Sequence, residues 1–217
     1  MKNEINSSIR IGGLLFMISG LFFAGAFVLL SYIPQVPSTG PEIIAWLGKW
    51  RVFIALSNEL TFFAAVLMVP GIYSIFSLFF QRHKVKTILG CSLISMSSMT
   101  LILLVIVQGR LCYPVFGMQI PQSMTGFVLS IYWGGMHTVF LLLAGAVILT
   151  GFSFPKDISG KFYLTLSLVV ALAIAVGAYP WLIGRLIALL TQLAFSLWFI
   201  VTGMRVAFAN KDTSASD

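Results

Sequence analysis

Charge is what this sequence has least of. Of its 217 residues only 9% are charged, and six carry a carboxylate. Soluble domains ordinarily hold about 25% charged residues, so the chain cannot present an ordinary water-facing surface. Histidine and cysteine are as scarce, with two of each. One intramembrane histidine cannot supply paired axial ligands to a haem, and no His/Cys/carboxylate spacing matches a metal-hydrolase motif. No metal and no cofactor is expected. Cys91 and Cys112 lie 21 residues apart on or just beyond one expected helix, about 31 Å along its axis. A disulfide needs Cα atoms within about 7 Å, which excludes an internal bridge. A Gly-x-Ser-x-Gly elbow and a glycine-rich phosphate loop are also missing. An intramembrane enzyme using Glu59 or His137 as acid or base is therefore the third-ranked reading.

Apolar residues fill the space. They make up 59% of the chain, with a mean hydropathy of +1.02. Runs of about 20 apolar residues recur throughout, each long enough to cross a bilayer as a helix. They predict an all-α, polytopic membrane protein: a six-helix bundle with spans at 11–32, 52–80, 87–109, 125–152, 162–179 and 183–208. A short segment, 1–10, precedes the bundle and a polar tail, 209–217, follows it. The first run exceeds the 7–15 apolar residues usual in cleaved signals, so it is read as a retained span.

The net charge of +7 raises nucleic acid as a partner. The cations are scattered singly through short connections, with no basic helix and no aromatic platform, which excludes that class. They follow the bilayer instead. Lys2, Arg10, Arg82, Lys84, Lys86, Lys156, Lys161, Arg205 and Lys211 fall on one side, and only Lys49, Arg51, Arg110 and Arg185 on the other. The cation-rich side is expected to be cytoplasmic, with both termini there, in a plasma (cytoplasmic) membrane. Lipids are the expected surroundings, and nothing in the pattern decides oligomerisation.

The longest connection, SYIPQVPSTGPEIIAWLGKW, carries Pro34, Pro37 and Pro41 and then a bulky apolar cluster with Trp46 and Trp50. A short interfacial helix is expected there, separate from the second span. Small residues at Ala171/Ala175, Ala173/Gly177 and Gly184/Ala188 suit close helix approach. Pro70 is expected to free the Val66 carbonyl and bend the second span.

Seven polar residues fall inside apolar spans or at their rims: Asn58, Glu59, Gln108, Arg110, His137, Arg185 and Gln192. An ionised group at mid-bilayer costs about 2.5–3.5 kcal/mol on insertion scales, so such groups turn to the bundle interior and lean functional. At 1.5 Å per residue, Glu59 lies about 10 Å below the outer rim, Gln192 about 13 Å and His137 about 18 Å. All seven belong to the outer half. Helical periodicity places Glu59 on a stripe with Phe63, Val66, Pro70, Tyr73 and Ser77. It joins His137 with Ser130, Trp133, Gly134, Leu141 and Ala144, and Arg185 with Gln192, Ser196 and Gly203. Each stripe is expected to face inward, with Glu59 paired to Arg110 or Arg185.

Two readings follow for the seven. They line an outward-opening site for a small ligand, ion or proton, in a binding or transport protein. Alternatively they form a structural lock in a non-catalytic accessory or interaction protein.

The segments SIRIGGLLFMISG and MHTVFLLLAGAVILTGFSFPKDISG, with the carboxylate of the second span, resemble a family of small six-span bacterial membrane proteins of unknown function. The resemblance implies a His-bearing fourth span running into a short Pro-containing inner turn. It also implies a bacterial, multi-pass membrane protein. It implies no activity.

Overall fold

An apolar run of bilayer length can satisfy its own backbone without water only as a helix or in a closed barrel. The computed structural model describes residues 2–118, 120–154 and 158–209, without the side chains of 2–5, 158 and 159. Those residues form six helices: α1 (Lys2–Ser31), α2 (Gly40–Phe79), α3 (Lys84–Cys112), α4 (Gln122–Gly151), α5 (Ile158–Gly177) and α6 (Arg185–Ala207). All six are long and apolar enough to cross a membrane, the mark of a multi-pass membrane protein. Each expected span overlaps one of them and overruns it by at most two residues at either end.

The differences lie at the ends. No separate interfacial helix follows Pro41. That proline sits in the first turn of α2, where a missing N–H breaks no hydrogen bond. The helix then runs without interruption, through Pro70, to Phe79. With 40 residues it is about 60 Å long, roughly twice the hydrocarbon thickness. The expected leading segment is mostly helical too, since α1 begins at Lys2. Most of the polar tail, Lys156 and Gln119 lie outside the described residues.

The helices form a ring in chain order, closed by α6 against α1, while α2 also reaches across to α4 and α6. The α1–α2, α3–α4 and α5–α6 connections share one end of the bundle, called here the connection end. The start of α1 and the end of α6 share the other. Glycine sets a close crossing between α1 and α6. A methyl group on Gly13 would lie 2.8 Å from the Gly203 carbonyl oxygen, and one on Gly203 would lie 2.6 Å from that of Gly13. Only a residue without a side chain lets the two backbones approach so closely.

Hydroxyls fasten neighbouring helices where lipid offers no competing partner. Ser19 Oγ and Ser98 Oγ donate to the Ala64 and Ala65 carbonyls, each at 2.8 Å, tying α1 and α3 to α2. Tyr163 and Thr202 share a hydrogen bond at 2.7 Å, and the Trp198 indole donates to Ser167 at 3.0 Å, tying α5 to α6. Between them Phe16, Phe23, Phe27, Phe195 and Phe199 fill the centre as one aromatic cluster. Outward-facing positions remain apolar, as with Tyr73 and Met99, as acyl chains require.

Helix length shapes the connection end. The last turn of α5 meets α4 at His137, and α4 continues from there to Gln122, about 22 Å further. The turn between Ala178 and Gly184 is therefore sunk below the rim that α3 and α4 reach. Above it, α5 does not separate α4 from α6. Among the described residues the backbones of those two helices are nowhere in contact.

Candidate functional site

The recess left by the short α5 is a cavity of about 440 Å³. Each wall follows from a local feature of the chain. On one side stand the end of α1 and the segment after it, Leu30 to Val36. The overhanging start of α2 contributes Trp46 and Leu47. That overhang is held in place because the Trp46 indole donates to the Pro34 carbonyl at 3.0 Å and Ile43 packs near Gly126 of α4. Opposite stand Leu129, Tyr132 and Trp133 of α4, with Trp181 of the sunken turn below them.

Three of the seven expected residues reach this cavity. Gln108 enters from α3, and Arg185 and Gln192 from α6. On α6 the positions 185, 188, 189 and 192 share one face, so Arg185 marks the mouth and Gln192 lies about 10 Å deeper. Ser196 and Gly203, further along that stripe, are buried. The inward expectation holds for α6. Gln108 is 6% exposed and lies within hydrogen-bonding reach of the Tyr132 hydroxyl. The cavity thus has apolar and aromatic walls, neutral hydrogen-bonding groups inside, and a guanidinium at its mouth. Among the described residues no carboxylate lines it. No side chain caps the start of α6, so the first-turn N–H groups beside Arg185 add to the positive potential.

The other four residues are elsewhere. Glu59 does not pair with Arg110 or Arg185; its carboxylate accepts a hydrogen bond from the Tyr113 hydroxyl at 3.0 Å. Its stripe faces away from the bundle: Phe63 is 49% exposed and Tyr73 58%. The inward face of α2 is the adjacent one, carrying Asn58, Thr61, Ala65 and Met68. Asn58 is 2% exposed and its Oδ1 has no hydrogen-bond partner among the described residues. The stripe through Glu59 failed because aromatic and β-branched residues populate both faces of a lipid-embedded helix. Small residues, not large ones, mark the packed face.

Arg110 is the last-turn cation of α3 and folds over the following turn, donating to the Tyr113 and Met118 carbonyls at 3.4 and 3.3 Å. That turn is tight, with Phe116 and Gly117 both at positive φ. His137 Nδ1 lies 2.8 Å from the Ala178 carbonyl oxygen, its ring edge against Tyr179 and Trp181. A carbonyl only accepts, so Nδ1 carries the proton. The rest of its stripe is mostly exposed: Ser130, Gly134 and Leu141 face outward, Trp133 is half-buried, and only Ala144 is buried.

Sequence reasoning missed Tyr113, Tyr132, Trp46 and Arg51. Arg51 Nε donates to the Cys112 carbonyl at 2.7 Å and so caps the end of α3, a cation at the negative end of a helix dipole. A basic residue in α2 level with the end of α3 was the available signal. Tyr113, just outside α3, has its phenol raised above its ordinary pKa. Burial is the first cause, followed by its hydrogen bond to Glu59 and that carboxylate's charge. Cys91 and Cys112 are both free and buried.

Among known proteins, no family model, no curated protein and no solved structure matches this chain. Fold and cavity therefore carry the functional reading alone.

Proposed function

We propose that this chain is a plasma-membrane protein that binds, and in a transport reading carries, a small ligand in the connection-end cavity. Of the cationic residues among those described, four lie toward the connection end and seven toward the end where α1 begins and α6 ends. By the positive-inside rule that end is cytoplasmic and the cavity opens on the outer side. One observation carries the reading: about 440 Å³ of mostly apolar space into which Gln108 reaches from α3 and Arg185 and Gln192 from α6. Ligand sites combine those features, an apolar enclosure with a few placed polar groups.

Native mass spectrometry of the protein in a neutral detergent tests it. The wild type is expected to retain a non-covalent small-molecule mass that Ala188→Trp, which fills the cavity, releases. Identical spectra from the two proteins, at equal thermal stability, contradict it.

A structural lock is the better reading for Glu59 and His137. Each makes a hydrogen bond to one neighbour, Glu59 to Tyr113 and His137 to the Ala178 carbonyl, and neither lines the cavity. The transport role first expected of Glu59 loses its support on that ground.

A further inference from the structure

Two features of the cavity together specify what it takes. On one side no helix covers it. α5 ends at Gly177, opposite His137, so above Trp181 nothing of α5 stands between Trp133 on α4 and Arg185 on α6, whose helix backbones are not in contact among the described residues. The second feature is charge. Among the described residues, Arg185 is the one charged residue lining the cavity, and it makes no ion pair or hydrogen bond with any of them. An exposed guanidinium at the mouth of an apolar cavity suits an anionic head, which it can grip in bidentate fashion.

Resting on the binding reading above, we propose that the ligand is an anionic amphiphile. Its acyl or similarly apolar body enters from the membrane between α4 and α6. Its carboxylate or phosphate is held by Arg185 at the mouth. The indoles of Trp133 and Trp181 flank the passage, as aromatic side chains do at the level of lipid headgroups. Gln192 and Gln108, deeper in, bind an ester or hydroxyl oxygen of the ligand.

The test uses energy transfer from tryptophan to parinaroyl probes, with the full-length protein in a neutral detergent. Free cis-parinaric acid presents a carboxylate, and parinaroyl phosphatidylglycerol a lipid phosphate. The methyl ester of parinaric acid is the uncharged control. At least one anionic probe is expected to give saturable transfer, and the one that does identifies the source of the anion. Arg185→Gln weakens that probe about tenfold, the loss of one charge-assisted contact. Arg185→Lys restores most of the affinity, and the methyl ester is indifferent to both. Arg185 is exposed, so these variants keep the fold. If the ester saturates as tightly as the acid and Arg185→Gln changes neither, the cavity binds ligands but the anionic specificity is overturned. If no probe saturates and Ala188→Trp changes nothing, this inference and the binding reading fail together.

Discussion

The Tyr113 hydroxyl donates to Glu59 Oε1 at 3.0 Å across the junction of α2 and α3. A carboxylate on the outer face of a membrane helix thereby gains its partner from the first residue beyond the next helix. The contact settles why an acid can stand in so apolar a segment. Glu59 stands midway along α2, level with the end of α3, where the Tyr113 phenol reaches it.

The same contact fixes a pH dependence. Burial, the hydrogen bond and the Glu59 charge all raise the Tyr113 phenol above its ordinary value near 10. A raised phenol binds its proton more tightly in the folded state. Its stabilising contribution is whole below about pH 10 and is lost as pH rises through the folded value. An ultraviolet titration, taken as wild type minus Tyr113→Phe, should show this tyrosine ionising late. Glu59→Gln should bring it earlier. An ordinary titration in the wild type, unmoved by Glu59→Gln, would refute the assignment.

Gly203 offers a packing prediction. Its Cα faces the backbone of α1 at Gly13 and Met17, so even a methyl group must part the helices. Gly203→Leu is expected to destabilise the bundle by about 3 kcal/mol, the upper range for overpacking. Gly48, with nothing within 4 Å of an added methyl, should gain up to about 1 kcal/mol as alanine from helix propensity. Thermal or denaturant unfolding in detergent compares the two. Equal tolerance at both positions would show that α1 and α6 do not pack as described.

Asn58 is a prediction of opposite sign. Its buried Oδ1 has no partner among the described residues, and leaving such a group unsatisfied costs about 1–3 kcal/mol. Asn58→Leu, of similar volume, should leave the protein as stable or up to about 2 kcal/mol more stable. A marked loss of stability on that change would mean that Asn58 holds a water or a neighbour the packing does not reveal.

Six spans and their order were legible because a bilayer demands about 20 apolar residues per crossing, and 59% of the chain is hydrophobic. Which face of each helix turns inward was much less so. In water the hydrophobic stripe marks the core; in lipid both faces are apolar. α6 read correctly because its polar and small positions, from Arg185 to Gly203, share one side. α2 did not, because Glu59 is satisfied from outside by a residue at position 113, far along the chain. The cavity was illegible for a different reason. It arises where α5 stops short of its neighbours, and relative helix heights are a tertiary property. Gln108, Arg185 and Gln192 were singled out as residues in apolar spans, and the short α5 is what brings them to one recess.

The central claim is that this recess is open from the side of the membrane opposite the start of α1 and the end of α6. Gln192 lies inside it, half-buried on α6, and offers a direct probe. Gln192→Cys, in a chain with Cys91 and Cys112 replaced by serine, should react in intact cells with a small, membrane-impermeant methanethiosulfonate. Adding Ala188→Trp should abolish that reaction while the protein remains folded. A cysteine at 192 that stays unreactive in intact cells yet labels once they are broken open, or one that Ala188→Trp leaves equally reactive, would contradict the account.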